Sequence, residues 1–518
     1  MASQPTQSRP RFAIRRSETI FSAALLIALA LCACGTTKRA SAPTSTTPVT
    51  LSASDVQTLV TNAATAANTP MVIAVVDRLG RILAIYRTAG APTTATSNFG
   101  APAPSDELAV ALARTAAFFS NNQAPLSSRT VRFISSIHFP PGVSLTANGP
   151  LYGIENSNRG CTLSTNYIAG QQIPVAGLIN GSQPGLGIIT GKPDVNDSDG
   201  TAVNPGGVPI FKDGQEVGGV GVAGVSGDVA EYVAYTAVAA SGFAPNPASP
   251  GVVVVGGVSL PFVNQTTAPA GISAGTLNGS YEVAATESPG APPDGYLVAA
   301  AAGPLGGLSS SDVSGIISGA VSTASQTRAL IRLPIGSRTS MVIAVSDLDG
   351  TIIGLYRMPD ATVFSIDVAV TKARNMAYFN SATRMAADLP GVPIGTAVTN
   401  RTIGFGAQPL FPPGIDGSGP GPFFSLYTHD VANPCGQGFA AAGPNQSGVV
   451  FFPGSLPLYR NGVLVGGLGV SGDGVDQDDY VAAGGATNFA APTGNRADTI
   501  TLDGVPLPYQ DFPSNPTD

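Results

Sequence analysis

The stretch MVIAVVDRLGRILAIYR at residues 71–87 is written again, with few changes, as MVIAVSDLDGTIIGLYR at residues 341–357. Each stretch holds two apolar runs of strand length around an Asp-x-x-Gly sequence, and Asp and Gly at those positions suit a type I turn. Each is therefore predicted to be a β-hairpin. A phrase repeated at such a distance also predicts that a whole folding unit occurs twice. We call the two units copy one and copy two.

The similarity extends to both sides of this hairpin. LSASDVQTLVTNAATAAN precedes it in copy one and LSSSDVSGIISGAVSTAS in copy two, and these segments are predicted helices capped by Ser54 or Asp55 and by Ser311 or Asp312. After the hairpin, DELAVALARTAAFFSN matches IDVAVTKARNMAYFNS. Alanines four residues apart give this second helix a face of small side chains, which lets it lie close to a sheet or another helix.

The second half of each copy holds another hairpin. VPIFKDGQEVGGVGVAG in copy one corresponds to LPLYRNGVLVGGLGVSG in copy two, and the Asp-Gly and Asn-Gly pairs inside them are strong signals for two-residue hairpin turns. A helix follows from about Asp228 or Asp476, and a strand closes each copy. Each unit therefore reads helix, hairpin, helix, insertion, hairpin, helix, strand. Hairpins imply antiparallel sheets, so the predicted fold class is α+β.

Length and composition fit a protein of more than one domain. The chain has 518 residues, of which 43% are hydrophobic and 11% charged, and it is too long for one ordinary core. The predicted segments are a signal peptide at 1–34, a flexible tether at 35–50, copy one at 51–265 with an insertion at about 143–205, a linker at 266–305 with room for one strand, copy two at 306–512 with an insertion at about 415–453, and a tail at 513–518.

Several function classes are disfavoured. A net charge of −7, without a Lys/Arg cluster beyond the N-terminus, argues against nucleic-acid binding. Two His residues leave little room for His-rich metal chemistry. No Ser-His-Asp set, paired catalytic carboxylates or Cys-x-x-Cys sequence stands out. Catalysis, if present, would therefore come from a bound cofactor.

The N-terminus is predicted to be an export signal. Arg11, Arg15 and Arg16 precede the apolar run IFSAALLIALAL, which is short for a membrane-spanning helix. The following LCAC resembles a bacterial lipobox, with Cys34 as the lipidated residue. An ordinary secretory signal is the alternative. We expect a protein held to a bacterial cell envelope by its lipid, on the periplasmic or extracellular face.

A hairpin with Asp-x-x-Gly, an Ala-rich helix and the pattern PI-x-x-DG-x-x-VGG-x-GV-x-G follow one another in this chain. In this order they resemble the GlcG/HbpS-like haem-binding family, whose module is also fused to some cobalamin-related adenosyltransferases. Copy two has Leu458 and Asn461 in place of Ile210 and Asp213. The resemblance covers both copies and implies a profilin- or PAS-like module that oligomerises and binds haem or a related tetrapyrrole. Tandem fusion would build the family's dimer within one chain; a homo-oligomer of whole chains is the other arrangement.

Residues repeated in both copies are the candidate contacts for such a ligand. A Tyr phenolate can ligate haem iron, and Arg can form a forked pair with a propionate carboxylate. The alternatives are a Tyr packed in the core and an Arg solvated at the end of a strand. The candidates are Tyr86, Arg87, Arg129, Thr130, Tyr356, Arg357, Arg401 and Thr402.

The two histidines are haem ligands by chemistry but do not occupy matching positions. His138 aligns with Leu410, and His429 lies in the second insertion. If both copies bind haem alike, neither can be the shared ligand. We expect each to be a surface or loop residue.

Two motifs invite other functions. GVGVAG at 219–224 and GLGVSG at 467–472 match the dinucleotide fingerprint, yet they lie in the second strand of an antiparallel hairpin, where glycines more often mark a bulge or a close approach. The acidic runs at 194–200 and 473–479 suggest calcium but lack the EF-hand spacing. We expect neither a nucleotide nor a calcium site.

Cys161 and Cys435 follow the matching FPPG sequences at similar distances in the two copies. An envelope protein can carry disulfides, so a bridge between these cysteines is one interpretation. Free thiols that sense redox state or bind haem are the alternative.

Together these features predict an envelope lipoprotein that binds haem or a related tetrapyrrole for storage, sensing or protection. One alternative is a structural or interaction module that keeps the fold without a ligand. The other is an enzyme that degrades haem or acts on a small hydroxy acid.

Overall fold

A computed structural model describes residues 48–96, 102–154, 157, 161, 205–245, 253–433 and 435–517. The predicted signal peptide, with Cys34, lies outside the described residues, and so does most of the first insertion. Among the helices that are described, none combines the length and the apolar character needed to cross a membrane.

Copy one is built on a five-stranded antiparallel sheet with the strand order β5-β6-β1-β2-β9. One face of the sheet is covered by α1 and α4, and the other by α2. The helices of copy one are α1 (Ala53–Ala66), α2 (Ser105–Phe119), α3 (Ser128–Phe133) and α4 (Gly227–Ala240), and its strands are β1 (Val72–Asp77), β2 (Ile82–Arg87), β3 (Thr94–Thr96), β4 (Pro102–Pro104), β5 (Gly207–Lys212), β6 (Gln215–Ala223), β7 (Val254–Val255) and β8 (Val258–Ser259), with β9 (Ser280–Val283) supplied by the linker.

Copy two repeats this plan, with the strand order β10-β12-β11-β14-β13. The α+β class predicted from the hairpins is confirmed. The helices of copy two are α5 (Ser310–Ala324), α6 (Phe364–Phe379), α7 (Asn400–Gly406), α8 (Phe424–Ala432) and α9 (Val475–Gly485), with single 3₁₀ turns at Ala386–Asp388, Thr493–Asn495 and Ala497–Thr499, and its strands are β10 (Gly295–Val298), β11 (Val342–Ser346), β12 (Ile352–Arg357), β13 (Ser455–Arg460), β14 (Val463–Ser471), β15 (Thr501–Leu502) and β16 (Val505–Pro506).

The segment at 266–305 contributes a strand to each sheet. β10 lies where the sequence left room for one strand and pairs with β12. β9, which no sequence pattern predicted, pairs with β2 on the outer edge of the other sheet.

The predicted closing strands are wrong. Each is a hairpin of two-residue strands, β7–β8 or β15–β16, which joins neither main sheet. The physical reason is a tight turn inside each segment. Gly256 and Gly257 in copy one, and Asp503 and Gly504 in copy two, all have positive φ, and two such residues in succession reverse the chain.

The first helix of each copy starts earlier than predicted. Ser52 and Ser309 are the N-caps, whereas Asp55 and Asp312 occupy the third helical position. Each Ser accepts a hydrogen bond from the Asp backbone N–H, and each Asp carboxylate accepts one from the Ser backbone N–H. This reciprocal arrangement is a capping box, so the predicted Asp residues support the cap from inside the helix.

The glycines of the VGG-x-G hairpin allow α2 to lie against β6. A Cβ atom added to Gly219 would lie 2.1 Å from the carbonyl oxygen of Ala113, and one on Gly221 would lie 1.9 Å from that of Ala109. Copy two has the same contact between Gly469 and Ala369. The strand is therefore glycine-rich because a helix backbone occupies the space of the missing side chains.

Candidate functional site

A cleft of about 650 Å³ opens at one end of the copy-one sheet, where β6 ends and α4 begins. Its inner wall is formed by Leu108 and Leu112 of α2 and by Val222 of β6. The β3–β4 hairpin forms its outer wall, and Ala230 on α4 closes one side. We call this space the copy-one cleft.

The described side chains that line the copy-one cleft are uncharged and mostly apolar, while polar atoms make up about half of its accessible surface. The described residues around it are Pro, Ala, Val, Leu, Gly, Thr and Ser, and none of them is charged. Its volume is within the range of small-molecule sites, which are usually apolar with few polar groups. His, Cys, Met and Tyr, the side chains that hold haem iron, are absent from the described lining.

Arg87 lies behind the wall of the cleft and is engaged within the fold. Its guanidinium donates to the carbonyl oxygens of Ala91 (3.3 Å) and Pro92 (2.7 Å), and Pro92 lines the cleft. Its Nε also lies 3.3 Å from a carboxylate oxygen of Glu282. Arg87 therefore holds in place the loop that leads from the sheet into the cleft wall.

Arg357 has the same position in copy two but is completely buried. It donates to the carbonyl oxygen of Ala361 and forms an ion pair with Asp294. Burial, together with the positive charge of Arg78, lowers the pKa of Arg357 to about 10. This residue also holds a loop, and its guanidinium is not available to a ligand.

The two repeated tyrosines pack against strands of the linker. Tyr86 is buried, its hydroxyl accepts a hydrogen bond from the backbone N–H of Gly279 (2.6 Å), and its ring meets that of Tyr281 edge to face. Tyr356 makes the same ring contact with Tyr296. Neither tyrosine lines the copy-one cleft, so the structure places both in packing positions.

Arg129 and Arg401 pair with carboxylates on the last helix of their copies. Arg129 Nε and Nη2 lie 2.6 and 3.1 Å from the two carboxylate oxygens of Glu231. Arg401 binds Asp479 through Nε (2.6 Å) and Asp476 through Nη2. Both arginines therefore tie the short helices α3 and α7 to α4 and α9.

Thr130 and Thr402 complete capping boxes at the starts of α3 and α7. Their partners are Ser127 and Thr399. Each Thr hydroxyl also donates to a backbone carbonyl oxygen next to the closing hairpin, that of Pro261 in copy one and the matching proline in copy two. These contacts fix the backbone, and the structure does not bring the threonines together with the Tyr and Arg candidates into one site.

His138 lies in a loop, which agrees with the prediction of a surface or loop residue, but it is buried, and His429 lies on a helix instead. His138 is 4% exposed, and its ring nitrogens lie 3.0 Å from the carbonyl oxygen of Thr146 and 3.3 Å from Asp416 of copy two. His429 is half-buried on α8, with its ring centroid 4.3 Å from that of Phe439. These contacts come from the described residues of the two insertions, and they cover both histidines. Neither histidine lines the copy-one cleft.

The structure joins Cys161 and Cys435 in a disulfide, with their Cα atoms 5.3 Å apart. The bond connects the first insertion to the second, and so connects copy one to copy two.

The acidic run at 473–479 neutralises buried cations. Asp473 pairs with Arg332, Asp478 with Lys372, and the two remaining aspartates pair with Arg401. Across the part of the chain that is described, no group of three or more His, Cys, Asp or Glu side chains is placed to hold a metal ion. The other acidic run, at 194–200, lies outside the described residues.

The pair of Lys372 and Asp478 is a feature that the sequence interpretation missed. Lys372 Nζ lies 3.1 Å from Asp478 Oδ2 and donates to the carbonyl oxygen of Val470 (2.8 Å), and both side chains are buried. Burial raises the pKa of Asp478 to about 7 and lowers that of Lys372. A comparison of the two copies could have found the pair, because copy one has the apolar residues Leu112 and Ala230 at the matching positions.

A family model described as "Haem degrading protein HbpS-like" matches residues 51–239 and 308–487, which together make up more than half of the chain. The chain belongs to the HbpS-like family. The two matched regions coincide with the repeats, so the resemblance and its tandem arrangement are confirmed.

Curated relatives of this HbpS-like chain include the corrinoid adenosyltransferases PduO of Salmonella typhimurium and Citrobacter freundii. Each is 28% identical over 159 residues, which is 30% of this chain and 34% of the relative. The chain thus spans about a third of the length of the curated relatives that it matches.

Two solved structures are similar to part of the HbpS-like chain. The first is the complex of PduOC with haem (24% identity, 35% of this chain and 95% of that chain, TM-score 0.23). The second is Klebsiella pneumoniae protein ORFY (20% identity, 35% of this chain and 88% of that chain, TM-score 0.23).

Proposed function

We propose that copy one binds a tetrapyrrole, with haem as the first candidate, and that the ligand lies in the copy-one cleft. The observation that carries this proposal is an uncharged cleft of about 650 Å³ in a module of the HbpS-like family. Contact of a large flat ring with the accessible apolar side chains around the cleft, among them Pro92, Ala95 and Pro102, would contribute to the binding free energy.

The described lining fits the tetrapyrrole ring and does not fit its iron. The apolar walls suit a macrocycle, whereas the described lining offers no side chain that ligates haem iron. Bound haem would supply a redox-active iron centre; the part played by this chain would be to surround the ring and exclude water. Arg87, which supports Pro92 in the cleft wall, would keep the cleft open.

We include the cell envelope in the proposal as the place of action. The support is the sequence alone, in which Cys34 ends a lipobox-like segment. Incorporation of labelled palmitate into the wild-type chain, and its loss in C34A, would test the lipid anchor. Storage, sensing and protection are the roles that such a binder would serve.

The decisive experiment titrates the full chain with hemin and, separately, with metal-free protoporphyrin IX. We expect saturable binding of both, with dissociation constants that agree within about threefold, a difference below 1 kcal/mol. Binding of hemin alone would contradict a site that recognises the ring. A weak, non-saturating response to both would favour the structural module. Loss of the haem spectrum after addition of reductant and oxygen would reveal degradation, the activity that the family description names.

A further inference from the structure

The two copies differ most at the place where copy one has its cleft. In copy one the cleft lies over Ala223 and Gly227, at the junction of β6 and α4. The matching residues in copy two are Ser471 and Val475. The cavity over Ser471 and Asp478 has a volume of about 40 Å³, against about 650 Å³ in copy one. A separate copy-two cleft of about 620 Å³ borders Val475 and Pro453 but lies against α7 and the closing hairpin, and neither Lys372 nor Asp478 lines it.

Apolar side chains from two sources occupy this place in copy two. The first source is the segment at 325–340, which joins the first helix to the sheet and replaces the short connection at 67–70 of copy one. Its residues Leu330 and Ile331 line the small cavity. The second source is copy one, whose Phe119 lines the same cavity and stacks on a phenylalanine at the start of α6, with ring centroids 4.1 Å apart. The copy-two position is therefore a contact surface for copy one.

The inner wall has also changed chemically. Leu112 and Ala230, which line the cleft in copy one, are replaced in copy two by Lys372 and Asp478. The Lys and Asp side chains form a buried ion pair, and the ammonium also donates to the carbonyl oxygen of Val470. A ligand placed where these two side chains lie would have to displace or separate two buried charges that already satisfy each other.

We infer that the chain holds one ligand, in copy one, and that copy two has become a support that shapes and anchors the binding copy. Leu112 and Ala230 are then the residues that make a copy competent to bind. The outer wall agrees with this assignment: the strands β3 and β4, which pair beside the cleft, have no counterpart among the described strands of copy two, where α6 begins directly after the matching loop. The inference rests on the proposed function and adds the number and the place of the ligands.

The test is a fluorescence titration of the full chain with metal-free protoporphyrin IX. The wild type is compared with L112K/A230D, which places the Lys-Asp pair of copy two into the cleft, and with A95W, which fills the cleft from the β3–β4 hairpin. The matched control is K372L/D478A, which makes the reciprocal exchange in copy two. Circular dichroism shows whether each variant is folded. If L112K/A230D does not fold, the binding measured for A95W decides the test.

We expect saturation at one ligand per chain, about tenfold or weaker binding in A95W and L112K/A230D, and a change below about twofold in K372L/D478A. Saturation at two ligands per chain, weakened binding in the copy-two variant, or unchanged binding in A95W would overturn the inference. Absence of saturable binding in the wild type would instead overturn the proposed function.

Discussion

The buried pair of Lys372 and Asp478 shows how one position in a repeat can exchange apolar packing for an ion pair. Removal of one member of the pair should lower the free energy of unfolding far more than removal of both. D478A leaves the Lys372 ammonium buried without its carboxylate, and we expect it to lower the free energy of unfolding by about 3–5 kcal/mol. K372L/D478A installs the residues of copy one. Its free energy of unfolding should be within about 1 kcal/mol of the wild-type value or above that value. Urea unfolding at pH 8 measures both. If the double variant is as unstable as the single one, the pair is not the reason for the loss.

Asp367 on α6 makes the stability depend on pH. Its side chain is buried, Oδ1 has no hydrogen-bond partner among the described residues, and burial raises the pKa to about 8, against the lowering effect of Arg374. Between about pH 4 and pH 8 the folded chain keeps a proton that the unfolded chain releases, so this group lowers stability as pH rises, by up to about 1.4 kcal/mol per pH unit. D367N should therefore lose less stability than the wild type between pH 5 and pH 8 in urea unfolding. The exposed D349N is the control, and an unchanged pH slope in D367N would refute this role.

Repetition in the sequence identified important residues without revealing their partners. Tyr86, Arg87, Arg129 and their counterparts were proposed as ligand contacts because both copies keep them. Each finds its partner far away along the chain, such as Glu231 for Arg129. Structural and functional residues both recur in a repeat, so only the tertiary contacts could separate the two roles.

The strand glycines permit a prediction about how elements pack. In G221A the new methyl group would meet the carbonyl oxygen of Ala109 on α2, a backbone atom that cannot move without the helix. We expect G221A, and G469A in copy two, each to lower the free energy of unfolding by about 3 kcal/mol, the upper end for overpacking. G315A in α5, where nothing lies within 4 Å of the added methyl group, should instead raise stability by up to about 1 kcal/mol. Thermal unfolding of the three variants measures whether stability falls in G221A and G469A and rises in G315A. Equal effects in G221A and G315A would contradict close packing of the helix.

At the scale of elements, the sequence predicted what periodicity and turn residues encode. The paired hairpins, the Ala-rich helices and the type of fold follow from patterns within each copy. β9 could not be predicted, because it is mostly exposed and has no buried face to create alternation; only backbone pairing with β2 makes it a strand. The closing segments of the copies contain strand-forming residues, but two left-handed residues in each divide them into small hairpins.

Within the molecule as a whole, the contacts between the two copies join both matching and non-matching positions. Cys161 and Cys435, which occupy similar positions in the two copies, form the disulfide, whereas Phe119 at the end of α2 stacks on Phe364 at the start of α6. The phenylalanine contact covers the copy-two surface that corresponds to the cleft of copy one, so the inferred difference in roles follows from how the copies pack.

Asp360 lies at the centre of that interface and should control how firmly the copies are joined. Its carboxylate accepts hydrogen bonds from Arg78 of copy one (2.7 Å) and from Arg332 of copy two (2.6 Å), and both guanidinium groups are largely buried. D360A would leave two cations without this carboxylate, so we expect it to lower the free energy of unfolding by about 3–5 kcal/mol. In calorimetry we expect one unfolding transition for the wild type and a broadened or divided transition for D360A, because the copies uncouple. The control is D349A. Asp349 is exposed on the copy-two hairpin turn that corresponds to the turn of Arg78, so we expect D349A to lower the free energy of unfolding by less than about 0.5 kcal/mol. An equal effect of the two variants would show that the charges at the interface do not couple the copies.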